Sequence, residues 1–97
     1  MEDLRSRFER NENFVFRRIG DETILVPIKK NVGDMGSIYN LNQVGALVWE
    51  RLDGEKPLSR IKNMILEAFN VSPEEAEEDL CEFLNQLKEI GAVVKRT

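Results

Sequence analysis

The sequence predicts an α+β fold in which a three-stranded antiparallel sheet is followed by three helices. The main observation is a change in hydrophobic spacing, because apolar residues alternate up to residue 41 and recur every three or four residues from residue 44. The first spacing is typical of a strand and the second of an amphipathic helix. The 97 residues, 41% hydrophobic and 33% charged, suffice for one core. We therefore expect a single domain that needs no disulfide or metal.

Segments rich in aromatic and β-branched residues predict the three strands. Phe14–Gly20 and Glu22–Ile28 meet at Gly20-Asp21, a pair suited to a tight hairpin turn. After a polar loop, the third strand is expected at Ser37–Leu41.

The N-terminal segment is mostly charged and carries no strand pattern. We expect residues 1–13 to form either a loosely held arm or a short docking helix, and residues 14–97 to form the domain. The segment lacks the apolar centre of an export signal, so the expected compartment is the cytoplasm. No apolar run reaches the roughly 18 residues of a membrane span, and no membrane partner is expected.

Capping residues mark the ends of the helices. Asn42 is a good N-cap for a first helix at Gln43–Asp53, and Gly54 is expected to end it. The third strand is then joined to this helix by a single asparagine.

Two further helices follow. The second is expected at about 58–69, where apolar residues form one wide stripe. The third begins at Ser72-Pro73, in which the serine caps the helix and the proline occupies its first position, and it ends before Gly91.

The residue inventory argues against most catalytic chemistry. The chain contains no histidine, which removes the commonest general base and the usual zinc ligand. Cys81, the only cysteine, has acidic neighbours on its predicted helix, which oppose thiolate formation. We expect no enzymatic activity and no cofactor.

Three helices beside a small antiparallel sheet give a winged-helix-like arrangement, for which a nucleic-acid-binding or transcription-regulatory function is the alternative hypothesis. The charge of the third helix opposes it, because contacts with phosphates need Lys and Arg on the reading element. Against one base, Lys88, this helix carries seven acidic residues, namely Glu74, Glu75, Glu77, Glu78, Asp79, Glu82 and Glu89. We therefore expect no nucleic-acid partner.

The edge of the short third strand suggests a different function. A sheet edge must be paired, covered or used, and a guest peptide can add to it as a further strand. Two interpretations remain open from the residues alone: a peptide-binding edge, or an inert edge whose Ile38, Tyr39 and Leu41 serve the core.

Spaced positions in the second half of the chain resemble the PqqD-type peptide chaperones, also called RiPP recognition elements. The resemblance covers roughly residues 14–95. The matching features are Leu41-Asn42, Gly45, Trp49, Asp53-Gly54, Asp79 and the Phe83-Leu84-x-x-Leu87 series that ends at Gly91.

The resemblance implies a small adaptor that binds the leader of a ribosomally made precursor peptide, in natural-product or cofactor biosynthesis such as that of PQQ. It presents this leader to a modifying enzyme, commonly a radical SAM enzyme. In the family the leader lies between the third strand and the third helix. Carried onto this chain, the strand wall is Ser37, Ile38, Tyr39, Asn40 and Leu41, and the helix wall includes Asp79, Leu80, Phe83, Gln86 and Leu87.

Overall fold

The computed structural model describes residues 3–28 and 38–96, and it confirms the α+β class with antiparallel strands and three helices. The first two of the expected strands, and the helix expected after the short third strand, lie close to their expected positions. In chain order the elements are β1 (Arg7–Arg10), β2 (Phe14–Ile19), β3 (Glu22–Pro27), β4 (Tyr39–Leu41), α1 (Gln43–Arg51), β5 (Asp53–Pro57), α2 (Leu58–Ala68), α3 (Pro73–Glu89) and β6 (Val93–Arg96).

The three expected strands form one antiparallel sheet with the order β2-β3-β4, here called the hairpin sheet. Gly20 has φ +61° in the two-residue turn, a conformation that glycine adopts without strain. Leu25 lies in the middle of this sheet, paired with Phe16 on one side and with Tyr39 on the other. It is fully buried, so this face of the sheet covers the core.

A second antiparallel sheet, with the order β5-β1-β6, was not predicted, and we call it the terminal sheet. Its central strand is residues 7–10, within the segment for which an arm or a short helix was expected. The structure has a strand there because neighbours distant in sequence pair with both of its edges. Phe8 provides the apolar anchor and is only 2% exposed. The segment after α3 forms the strand β6, which pairs with one side of β1.

Gly54 lies within β5, whereas the sequence suggested that it ends α1. The helix stops at Arg51, and the N–H of Leu52 donates back to the carbonyl of Trp49. Gly54 has φ +81°, and a Cβ there would lie 3.2 Å from Cβ of Glu9 on β1. Position 54 therefore needs a glycine, because the register between β5 and β1 is irregular there.

The Asp53 side chain holds this irregular turn. Its carboxylate accepts hydrogen bonds from the backbone N–H groups of Glu55 (2.9 Å) and Lys56 (3.1 Å), and it forms an ion pair with the ammonium of Lys56. The Lys56 ammonium, followed by the two N–H donors, holds the pKa of Asp53 well below its ordinary value.

The helices pack over both sheets around one core. The caps occur as expected: Gly45 N–H donates to the Asn42 side chain at 2.7 Å, and Glu75 N–H donates to the Ser72 hydroxyl at 3.1 Å. A salt bridge of 3.0 Å between Lys62 and Glu77 joins α2 to α3. The largest fully buried side chains are Leu25, Val48, Leu52, Leu58, Ile61, Ile65, Leu80, Leu84 and Leu87. Within residues 3–28 and 38–96, no helix is long and apolar enough to cross a membrane.

Candidate functional site

A groove of about 180 Å³ lies where β4, the first turn of α1 and the middle of α3 meet. Three separate elements contribute to it, so its shape depends on how the hairpin sheet sits against the helices. Its lining residues are Asn40, Leu41, Asn42, Val44, Gly45, Asp79, Glu82, Phe83 and Gln86.

The strand side of the groove is an open sheet edge. β4 is the last strand of the hairpin sheet and pairs with β3 through Thr23↔Leu41 and Leu25↔Tyr39. Among the residues that the structure describes, no strand pairs with its other edge. Backbone donors and acceptors on such an edge are available to an extended peptide.

The corner between β4 and α1 is held by the Asn42 cap. Asn42 has extended backbone angles, its side chain accepts from the N–H of Gly45, and its carbonyl accepts from the N–H of Ala46 at 2.9 Å. Strand and helix are therefore joined without a flexible loop. The hydrophobic spacing changes abruptly after residue 41 because α1 begins directly at the Asn42 cap. The cap also fixes the edge of β4 relative to the helices.

One stripe of α3 forms the helix side of the groove. Asp79, Glu82, Phe83 and Gln86 follow the i, i+3, i+4, i+7 spacing of a single helix face. Phe83 is half-buried and packs against the core, whereas the three polar residues are exposed. This wall therefore has an apolar base and a polar rim with two carboxylates.

The expected strand-wall residues occupy different environments. Asn40 and Leu41 line the groove. Tyr39 is half-buried against the core, and Ile38 is 59% exposed just before β4. Ser37 lies outside the described residues.

The expected helix-wall residues fall on two faces of α3. Asp79, Phe83 and Gln86 line the groove, but Leu80 and Leu87 are 0% and 2% exposed in the core. These two leucines belong to the core and do not line the groove.

The two predicted walls do not include four residues that line the groove: Asn42, Val44, Gly45 and Glu82. The sequence predicts only a helix cap at Asn42, and Gly45 is one of the positions that carry the family resemblance. The signal for Glu82 was present in the helical spacing, because it lies three residues after Asp79 and beside Phe83.

Residues 22–93 match the model of the family described as coenzyme PQQ synthesis protein D (PqqD). The chain belongs to this family. The matched range includes every described residue that lines the groove. Among curated protein sequences, no significant match is found.

Two solved structures are similar to this PqqD-family fold. One is described as TbiB1 in complex with the TbiA(beta) leader peptide, at 25% identity and TM-score 0.70, with coverage of 88% of this chain and 93% of that chain. The other is described as lasso peptide synthetase B1 complexed with the leader peptide. It has 19% identity and TM-score 0.73, with coverage of 91% of this chain and 98% of that chain.

Proposed function

We propose that this chain binds the leader segment of a ribosomally made precursor peptide and presents it to a modifying enzyme. The observation that carries the proposal is the edge of β4, with which no strand of residues 3–28 and 38–96 pairs, beside a groove large enough for a side chain. An extended leader adds to this edge as a further strand. Its backbone bonds to β4, and alternate side chains turn toward α3.

The short length of β4 indicates how affinity is divided between strand and helix. Three residues provide few ladder hydrogen bonds, and each contributes only about 0.5–1.5 kcal/mol net. Much of the affinity must therefore come from apolar contacts on the helix side, with Phe83 and Val44 as the available groups. A half-buried aromatic ring that lines a groove, as Phe83 does, is a typical anchor for binding.

The comparisons support the class of ligand. Both similar solved structures are described as complexes with leader peptides, and they align over most of this chain. Identities of 25% and 19% are too low to carry over the leader sequence, so the proposal concerns leader peptides as a class.

We further propose that the chain is an adaptor in the cytoplasm and not a catalyst. The resemblance to the PqqD-type chaperones suggests a radical SAM enzyme as the partner that receives the leader. The lack of histidine in the sequence agrees with a non-catalytic role.

The charge around the groove favours a peptide over a nucleic acid. Asp79 and Glu82 are exposed on the groove wall and repel phosphate. No specific observation favours the winged-helix nucleic-acid alternative.

Hydrogen exchange on the two outer strands of the hairpin sheet tests the proposal. The probe is a synthetic peptide comprising the N-terminal half of a short precursor encoded beside this gene. Among residues 38–41, we expect the amides that exchange rapidly in the free protein to become protected on adding saturating peptide, because new ladder bonds shield the N–H groups that β3 does not already pair.

The opposite edge provides an internal control, since β2 is also a terminal strand of this sheet. Its amides should exchange as before. Protection at β2 instead of β4, or no protection at either strand, would overturn the proposal.

A further inference from the structure

The hairpin sheet carries apolar residues on both of its faces. Phe16, Leu25 and Tyr39 pair across the three strands, turn toward the helices and contact the core. Because successive residues of a strand point to opposite sides of a sheet, their neighbours turn away, onto a surface here called the outer face. The ladder continues past β3, since the N–H of Ile28 donates to the carbonyl of Asn13 at 2.8 Å. The apolar residues of the outer face are Val15, Ile19, Ile24, Val26, Ile28 and Ile38.

Burial shows that the outer face is separate from the core. Val15 and Val26 are half-buried and Ile24 is only 9% exposed, yet none of the three belongs to the core cluster or packs against it. Four large hydrophobic residues are exposed in the described part of the chain, and three of them, 58–60% exposed, lie on this face. The run from residue 24 to residue 28 is apolar throughout, which is typical of a strand that is covered on both sides. The outer face therefore has the character of an interaction surface.

Arg17 indicates the charge of the partner that this surface fits. It lies on the outer face between Val15 and Ile19, opposite Ile24 on β3. Its side chain is exposed, and within residues 3–28 and 38–96 no group pairs with its guanidinium. A guanidinium among apolar side chains binds a carboxylate through two parallel hydrogen bonds. The matching surface is therefore apolar and carries a carboxylate.

The outer face alone is smaller than a stable protein–protein interface. Six residues along a strand and three strands across span roughly 20 Å by 14 Å, or about 280 Å². A stable interface buries about 800 Å² on each partner, so two copies joined only through this face would not form a stable dimer. A leader that adds to β4 enlarges the surface, because those of its side chains that do not turn toward α3 emerge on the outer face.

We infer that the modifying enzyme docks on the outer face, with an apolar surface that carries a carboxylate for Arg17, and that the bound leader forms part of the surface it contacts. This inference rests on the proposed function and names the surface through which the leader is presented. The enzyme contacts the hairpin sheet and the leader strand together. Its affinity for the chain therefore rises when the leader is bound.

Two neighbouring arginines test the inference. The probe is the purified modifying enzyme encoded beside this gene, and its binding to the full chain is followed by biolayer interferometry with and without saturating leader. We expect the leader to lower the dissociation constant at least about fivefold. Arg17→Glu should raise it by about tenfold or more, because the partner's carboxylate then meets a like charge. Arg18→Glu is the matched control, since it makes the same charge change on the opposite face of β2 and should stay within about twofold of wild type.

A second pair of variants tests the apolar contact without a change of charge. Ile28→Ser removes a side chain that is 58% exposed on the outer face and should weaken enzyme binding about fivefold. Val94→Ser is the control on the terminal sheet, where Val94 is 47% exposed, and it should leave enzyme binding within about twofold of wild type.

Leader binding is measured separately, by fluorescence anisotropy with a labelled leader peptide. All four variants should bind it as wild type does, because none of the four residues lines the groove. If wild-type protein does not bind the leader, the proposed function fails, and enzyme binding in the absence of leader still decides the role of the outer face.

Three results would overturn the inference. The first is wild-type enzyme binding by Arg17→Glu and Ile28→Ser. The second is an equal loss in Arg17→Glu and Arg18→Glu, and the third is no binding of the enzyme to wild-type protein with leader present. Sedimentation velocity of the free protein tests a second copy as the occupant. We expect a monomer, and a stable dimer that Arg17→Glu or Ile28→Ser dissociates would also overturn the inference.

Discussion

The two sheets are built in opposite ways. The hairpin sheet is assembled from segments that follow one another in the described chain, and it ends in a three-residue strand whose outer edge no other described strand pairs. The terminal sheet brings together segments near the two ends of the described chain with one between α1 and α2, and its central strand is paired on both sides. The first leaves backbone groups available to a ligand, whereas the second uses them to hold distant parts of the chain together.

Side chains reinforce the terminal sheet. Arg96 on β6 forms an ion pair of 2.7 Å with Glu9 on β1, and Arg7 donates to the carbonyl of Glu55 on β5 at 2.8 Å. These contacts are exposed, and each contributes little. The comparison therefore suggests a division of roles: the buried Phe8 anchors the terminal sheet, and the edge of the hairpin sheet is the one that we propose for binding.

Among the proposed substitutions, Phe8→Ala is expected to have the largest effect on stability, because it removes the buried side chain of the terminal sheet. Loss of this buried ring should lower the free energy of unfolding by about 3–5 kcal/mol, measured by urea denaturation. At temperatures where the variant remains folded, leader affinity should equal that of wild type, because Phe8 does not line the groove.

Arg10→Ala is the matched control on the same strand, since Arg10 is exposed and its removal should change stability by at most about 0.5 kcal/mol. A loss below about 1 kcal/mol for Phe8→Ala would contradict the anchoring role, as would a selective loss of peptide binding.

The sequence predicted the hairpin sheet well because its signals are local. Gly20 makes the turn between two β-rich segments, and Asn42 marks the change from strand to helix. The terminal sheet has no such local signals. β5 has the sequence DGEKP, without a single β-branched or aromatic residue, and it is a strand because β1 pairs with it. Pairing between distant segments cannot be deduced from hydrophobic spacing.

The groove was predicted only in part, because some of its contacts also join segments that are distant in sequence. The family resemblance located Asn40, Leu41 and Phe83 on its walls, and the structure brings these three together. It could not reveal that Gly45 lies under Phe83, because that contact joins two helices 38 positions apart in sequence. Leu80 and Leu87 were expected on the groove wall but lie in the core. Their spacing on α3 is compatible with either location, so the sequence did not distinguish the two.

Asp53→Asn is expected to have an intermediate effect and tests the irregular turn of the terminal sheet. Asparagine keeps an acceptor oxygen but loses the charge that attracts Lys56. The variant should be less stable by about 1 kcal/mol at pH 7, because the lost pair is only partly shielded from solvent.

The pH dependence of this difference follows from the lowered pKa of Asp53. The unfolded carboxyl titrates near pH 3.9, so its contribution is fully present above about pH 4 and is lost as pH falls toward the folded pKa. Urea denaturation of both proteins between pH 7 and pH 2.5 should show the two curves converging below about pH 4. A constant difference over this range would exclude the charge as the cause.

The smallest expected effect concerns charge at the groove and compares two glutamates one turn apart on α3. Glu82 lines the groove, whereas Glu78 lies toward α2 beside Lys62. If the carboxylates on the rim attract a leader carrying Lys or Arg, Glu82→Gln should slow association about two- to fivefold at low salt and leave dissociation nearly unchanged. Glu78→Gln is the matched control and should associate at the wild-type rate.

Stability provides a second readout, because Glu78 and Glu82 are like charges at i and i+4. Either substitution removes the same repulsion and should stabilise the helix by about 0.2–0.5 kcal/mol. Glu78 also lies four residues after Glu74 and near Lys62, so the stability of each variant is measured beside its association rate. The difference in association rate should disappear at 1 M salt, where the screening length is about 3 Å. Stopped-flow fluorescence with the labelled leader measures the rates. Equal slowing in both variants would indicate a general field from α3, and no slowing in either would leave recognition to the β4 edge and the Phe83 ring alone.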